Sequence, residues 1–183
     1  MRPRVALVDD PQTERPAQSE SGVLKTLRMI RNCFKRMGGP TRKASVGIMC
    51  TVIRKGDAAD QLLDRKKNPD LHGVRHKMVY EFPKGESAKK WEVYVAKRKQ
   101  GMRDGDKGAA GNEYFAANRE AMLDGAVVGW QWGYDPTKGE EHTLQSFFNI
   151  VADDGEESAW AEMQNEPLMR AAVEVKLVPE TIL

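Results

Sequence analysis

Cysteine is scarce in this chain: Cys33 and Cys50 are the only two. They form no C-x-x-C pair, which argues against a thiolate zinc site. Two thiols beside nine methionines suit a reducing compartment better than a disulfide-stapled fold. Long apolar runs are also missing. Nothing approaches the ~20 apolar residues of a membrane span. Asp9 and Asp10 cut "VALV" off at four residues, so no secretory leader is expected and the protein is expected not to be secreted. The motifs of common enzyme classes are absent as well. "GDKGAAG" at 105–111 is neither G-x-G-x-x-G nor the G-x-x-x-x-G-K-S/T phosphate loop, and it reads as a surface loop. His72 and His76 flank Gly73 at the start of a strand-like run with no glutamate between them, so they are not H-E-x-x-H. Neither cysteine has a histidine close by in sequence, and no nucleophile elbow occurs. Nothing compels an enzyme, and neither cofactor nor metal is expected.

What the chain has is segregated charge. Its 183 residues carry 29 Lys+Arg and 27 Asp+Glu, a net +2. Up to Ala110 there are 25 basic against 13 acidic residues; from Gly111 onward there are 4 against 14. A basic half suits a polyanion, and an acidic half suits a neighbour, including head-to-tail self-association. The candidate polyanion-binding residues are Lys25, Arg28, Arg31, Lys35, Arg36, Arg42, Lys43, Arg65, Lys66, Lys67, Lys89, Lys90, Lys97, Arg98 and Lys99. Each cluster alone is an ordinary solvated face; five in one half carry more weight. Trp91 and Tyr94 interleave with the last clusters, as base-stacking or lipid-interface aromatics would, or as strand core would.

Composition is that of a globular domain, 40% hydrophobic and 31% charged. "PQTERPAQSES" after the opening "VALV" has little to bury, so residues 1–21 are expected as a flexible tail, with "VALV" able to add a strand at a sheet edge. Residues 22–37 read as a helix capped by Ser21, with Val23, Leu27, Ile30, Phe34 and Met37 on one face and basic residues opposite. Strands are expected at 44–55, 73–82, 89–99, 126–134, 142–152 and 171–178. Helices are expected within 57–70 and at 113–125 and 153–169. Strands that follow one another directly predict α+β: one domain over 22–183, with a mixed or antiparallel sheet and about three helices.

"VALVDD" resembles the start of a phosphoacceptor receiver domain, but the resemblance ends there. A Pro-rich stretch stands where the first helix belongs, and the next strand ends "TVIRKGD" with no aspartate at its tip. A different likeness concerns "FFNIVADDGEESAWAEMQNEPLMRAAVEVKLV", read as strand, acidic turn, tryptophan-bearing helix and last strand. With the tail, the basic helix and the compact body, this resembles the matrix proteins of rhabdoviruses. The resemblance implies a non-enzymatic, self-associating structural protein of a virion. It would work in the host cytoplasm and at the inner membrane surface, bridging an anionic membrane surface to a viral ribonucleoprotein or RNA. The P-P-x-Y budding motif of many animal-infecting members is absent, so that motif's partner does not carry over. Two other readings stand beside it: a viral or phage nucleic-acid-binding accessory protein, and a small metal-dependent enzyme using Asp153, Asp154, Glu156 and Glu157.

Overall fold

A computed structural model describes residues 3–34, 36–40 and 44–168. It overturns the α+β expectation. The chain is 49% helical and 9% strand, with seven α-helices and two two-stranded sheets among the described residues.

The first sheet pairs β1 (Val5–Asp9) with β2 (Ser45–Met49) in parallel, Val5 opposite Ser45 and Asp9 opposite Met49. Parallel strands need a long crossover. Here it contains α1 (Glu14–Ala17), α2 (Glu20–Met29) and a wide π-type turn at Ile30–Phe34. The stretch expected as a flexible tail thus contributes a strand and a short helix, and it buries Val8, Gln12 and Ala17. Ser19, not Ser21, caps α2, its hydroxyl accepting the Gly22 N–H at 3.1 Å. Of the expected apolar face, Val23, Leu27 and Ile30 pack with Ala58 and Leu62, flanked by Ile48 and Leu71; α2 ends at Met29 and not at Met37, which lies in a turn further on.

α3 (Ala58–Leu62) starts on Asp57, which is fully buried. One carboxylate oxygen accepts the N–H groups of Ile53 and Arg54 at 2.8 and 3.1 Å, and the other accepts that of Asp60 at 2.8 Å. Three donors lose their acceptor if it is removed. Asp57→Ala is expected to cost about 2–4 kcal/mol, read as a lower denaturant midpoint with an unchanged m-value, whereas Asp57→Asn should recover part of the loss.

The second core is helical where strands were expected. Residues 89–99 lie inside α4 (Glu86–Asp104), and 142–152 lie almost wholly inside α6 (Thr143–Asp153). Trp91, Tyr94, Arg98 and Gly101 are the buried residues of α4, at spacings of three and four, so Trp91 and Tyr94 share a face instead of opposing. α5 (Ala109–Leu123) begins within the expected loop. That stretch is a tight helix–helix corner: Gly105 and Gly108 take φ of 81° and 84°, and the Asp106 carboxylate accepts the N–H groups of Gly108 and Ala110 at 2.6 and 3.2 Å. α4 and α5 pack closely, since a Cβ on Gly111 would lie 3.1 Å from that of Arg98.

Phe115, Met122, Leu144, Phe147, Val79 and Ala159 complete this core around Trp91 and Tyr94. Strand is confined to β3 (Val79–Glu81), antiparallel to β4 (Val127–Val128) and not to 89–99. α7 (Glu156–Ser158) and a π-type turn at Ala159–Met163 follow α6. The strand expected at 171–178 lies outside the described residues.

The two cores meet along a polar seam. Gln164 is buried and bonds both the N–H and the carbonyl of Val79, at 2.9 and 2.7 Å. Asn165, at φ 52°, accepts the Val52 N–H at 3.0 Å and donates to the His76 carbonyl at 3.0 Å. Arg75 bonds the Asn165 carbonyl and, at 2.5 Å, the Asp60 carboxylate. This division falls near residue 77, and charge follows it: 17 basic against 8 acidic residues up to Lys77, 12 against 19 beyond.

Candidate polyanion interface

α2 buries its apolar face in the first core, which turns Lys25 and Arg28 to solvent. Arg31, in the turn that follows, reaches across and donates to the Asn68 side chain at 3.2 Å. Asn68 is itself buried, donating to the Gln61 carbonyl at 2.8 Å, so it is a fixed anchor. Arg65, Lys66 and Lys67 occupy the turn just before it and are all exposed. The Asp64 carboxylate holds that turn, accepting the N–H groups of Lys66 and Lys67 at 3.0 and 3.4 Å. Lys67 keeps an ion pair to Asp64 at 3.6 Å, but its side chain remains 64% exposed. Arg65 and His72 approach to 3.1 Å. Two sequence clusters thus become one surface of exposed cations, joined through Asn68.

The other predicted residues do not join it. Arg36 is exposed in the turn after Ile30–Phe34, while Lys35, Arg42 and Lys43 lie outside the described residues. The α4 cations belong to the second core, and most have a partner on that core. Lys89 pairs with Glu86 at 2.6 Å, Lys90 donates to Asn118 at 2.9 Å, and Lys97 lies 5.6 Å from the Tyr114 ring centroid. Lys99 is exposed. Arg98 is no surface cation at all: it is buried and grips Asp153 through two bonds of 3.0 and 2.6 Å. Burial alone would lower the Arg98 pKa, but the Asp153 hydrogen bonds and charge outweigh it and raise it.

Nor do Trp91 and Tyr94 offer a stacking platform. Trp91 is stacked on Phe148 at 4.4 Å and donates to the Met122 carbonyl at 2.8 Å. Exposed aromatic surface lies elsewhere, at Trp130, Trp132 and Tyr80. The sequence hint for it was only that Trp130 and Trp132 share a face in strand spacing.

The acidic run is broken up by the fold. Asp153 serves Arg98, and Glu156 and Glu157 sit in the first turn of α7. Among the described residues, no three His, Cys, Asp or Glu side chains gather as a metal site. A polar cluster that sequence inspection missed lies behind them. Tyr94 donates to Asn149 at 2.5 Å, Asn149 donates to Glu140 at 2.8 Å, and Glu140 accepts the Asp135 N–H at 2.7 Å. Burial, first of all, raises the Tyr94 pKa, which keeps the phenol a donor. Isolated polar residues at helical spacing give no sign of such a cluster until α4 and α6 are packed together.

His142 caps α6, its neutral Nδ1 accepting the Leu144 N–H at 3.1 Å. Burial, and then the Arg119 charge, lower its pKa. The unfolded chain regains an imidazole of pKa ~6.5 and takes up protons that the folded chain refuses. Stability from this site is therefore complete above about pH 6.5 and is lost as pH falls through the lower folded value. The melting temperature is expected to fall between pH 7.5 and pH 5.5, and His142→Asn, which can still cap the helix, is expected to flatten that fall. An equal fall in the variant would assign the pH dependence elsewhere.

No protein-family model, curated protein or solved structure matches this chain.

Proposed function

We propose that this is a non-enzymatic, self-associating structural protein whose first core presents a phosphate-binding surface to RNA or a ribonucleoprotein. The supporting observation is the Arg31–Asn68 bond, which fastens Arg31, in the turn just after α2, next to the exposed Arg65, Lys66 and Lys67. Arginine forks suit phosphate oxygens, and an array with no aromatic platform among its members reads backbone and not base sequence. The excess of acidic residues beyond Lys77 gives a second copy a surface of opposite sign. The matrix-like reading assigns the same work to the protein. However, residues 142–152 are helix, so the strand that opens the rhabdovirus-like pattern is missing.

An anionic membrane surface is the second reading, favoured by Leu24 and Met29, which are exposed on α2 beside Lys25 and Arg28. Insertion of α2 by its apolar face is disfavoured, because Val23, Leu27 and Ile30 are committed to the core. The deciding experiment measures binding to single-stranded RNA and to phosphatidylserine vesicles from low to high salt. The proposal expects RNA binding whose log affinity falls linearly with log salt, and concentration-dependent oligomers. Vesicle binding with no RNA binding would replace it by the membrane reading, and absence of both would remove it.

A further inference from the structure

Three aromatic side chains stand in solvent on the second core: Trp130 is 63% exposed, Trp132 70% and Tyr80 50%. The turn that carries the two indoles is pinned. The Thr143 hydroxyl, buried at the start of α6, donates to the Trp130 carbonyl at 2.5 Å and accepts the Gly133 N–H at 3.1 Å. The Gly133 N–H also bonds the Trp130 carbonyl at 3.2 Å. The Trp130 ring lies on Gly133, where a Cβ would come within 3.0 Å of it, and the Tyr80 ring lies on Gly129, 2.6 Å from such a Cβ. Val127 of β4 is exposed as well. Fixed Trp and Tyr side chains give a partner large contact area at little ordering cost, which is the usual make-up of an interface centre.

Charge selects that partner. The connection between α5 and α6, residues 124–142, carries Asp124, Asp135, Glu140 and Glu141 against a single Lys138, and Lys138 is paired with Asp135 at 4.0 Å. Asp124 and Glu141 are exposed, as is Glu81 next to Tyr80. Carboxylates beside aromatic faces repel RNA phosphates and anionic lipid, and they favour a partner that carries cations and apolar groups together. The solvent face of α2 carries both. Leu24 and Met29 are 45% and 38% exposed there among the exposed Lys25 and Arg28, with Leu24 one turn from Arg28 and Lys25 one turn from Met29. We infer that the Trp130–Trp132–Tyr80 patch of one copy binds the Leu24–Met29 face of α2 in a second copy. Such a contact rests on the self-association proposed above and gives it an interface. The two surfaces differ, so the contact is head-to-tail, and a pair leaves one patch and one α2 face open to further copies.

Sedimentation velocity of the full-length protein over a concentration series tests this. The parent is expected to form concentration-dependent oligomers. Trp130→Ser with Trp132→Ser, and separately Lys25→Glu with Arg28→Glu, are each expected to weaken association at least about tenfold. Mixed in equal amounts, the two variants are expected to form a heterodimer and nothing larger, since only one intact patch and one intact α2 face remain between them. Trp132→Ser alone, at the most exposed of the three aromatics, repeats the test with the Trp130 ring left in place on Gly133. RNA affinity of the tryptophan variants is expected to match that of the parent; a loss would overturn the inference and make the patch a base-stacking platform. Oligomers unchanged in both tryptophan variants, or a mixture no larger than its components, would overturn the inference and leave self-association standing. A parent that stays monomeric at every concentration would remove both.

Discussion

Replacing Arg28, Arg31 and Lys67 by glutamate is expected to weaken RNA binding by at least about tenfold at low salt and to flatten its salt dependence. Each lost phosphate contact removes ~0.7 from the slope of log affinity against log salt on a single strand, so three remove ~2. The control is an equal number of charge reversals on the second core, Lys89→Glu with Lys97→Glu and Lys99→Glu, all three exposed. Lys89 already has Glu86 as its partner, so this change is expected to leave the slope within about half a unit of the parent. Equal effects from the two variants would mean that net charge alone drives binding and that the assembled surface has no special part. The three residues are exposed, so the fold should survive; unaltered circular dichroism checks this.

Trp91→Ala is expected to cost about 3–5 kcal/mol, a large share of the ~5–15 kcal/mol of a typical domain. Trp91 is buried against Tyr94, Phe115 and Phe148, with ring centroids at 5.3, 5.6 and 4.4 Å, so truncation opens a cavity among rigid rings. It also strands the Met122 carbonyl, which now accepts the indole N–H. Trp91→Phe keeps most of the contact area and loses the hydrogen bond, so it should cost about 1–2 kcal/mol. Urea denaturation followed by far-ultraviolet circular dichroism measures both. If Trp91 were instead a surface stacking residue, both variants would melt like the parent and bind RNA less well.

Residues 89–99 show why the fold was only partly legible. "KKWEVYVAKRK" satisfies two periods at once: Trp91, Val93 and Val95 alternate as a strand, while Trp91, Tyr94 and Arg98 repeat as a helix. Arg98 looks polar in sequence, which hides the helical stripe; Asp153, 55 residues away, makes its burial tolerable. The same ambiguity affects 142–152, where the apolar residues are dense enough to suit either period. The helix expected at 22–37 was legible as a helix, though not in its bounds, because its opposite face is polar, so only one period fits. "GDKGAAG" was misread for a related reason. Glycine signals a break, but here one glycine caps α4 in the left-handed region and another lets α5 close on Arg98.

The candidate surface divides in the same way. Local composition alone determined that the first part of the chain is basic, that residues 22–29 are amphipathic, and that Lys25, Arg28, Arg31, Arg65, Lys66 and Lys67 are cations, together with nine other candidates. Local composition allowed "VALV" a strand at a sheet edge but placed it in a flexible tail; pairing with Ser45–Met49 is what made it β1. Which cations lie near one another was decided only by tertiary structure. The packing of α2 on α3 brings Arg31 to Asn68, and that of α4 on α6 takes Arg98 out of solvent to Asp153. A charge is local and is written in one residue. Its exposure and its neighbours depend on contacts between residues far apart in the chain, which exist only after the apolar faces have chosen their partners.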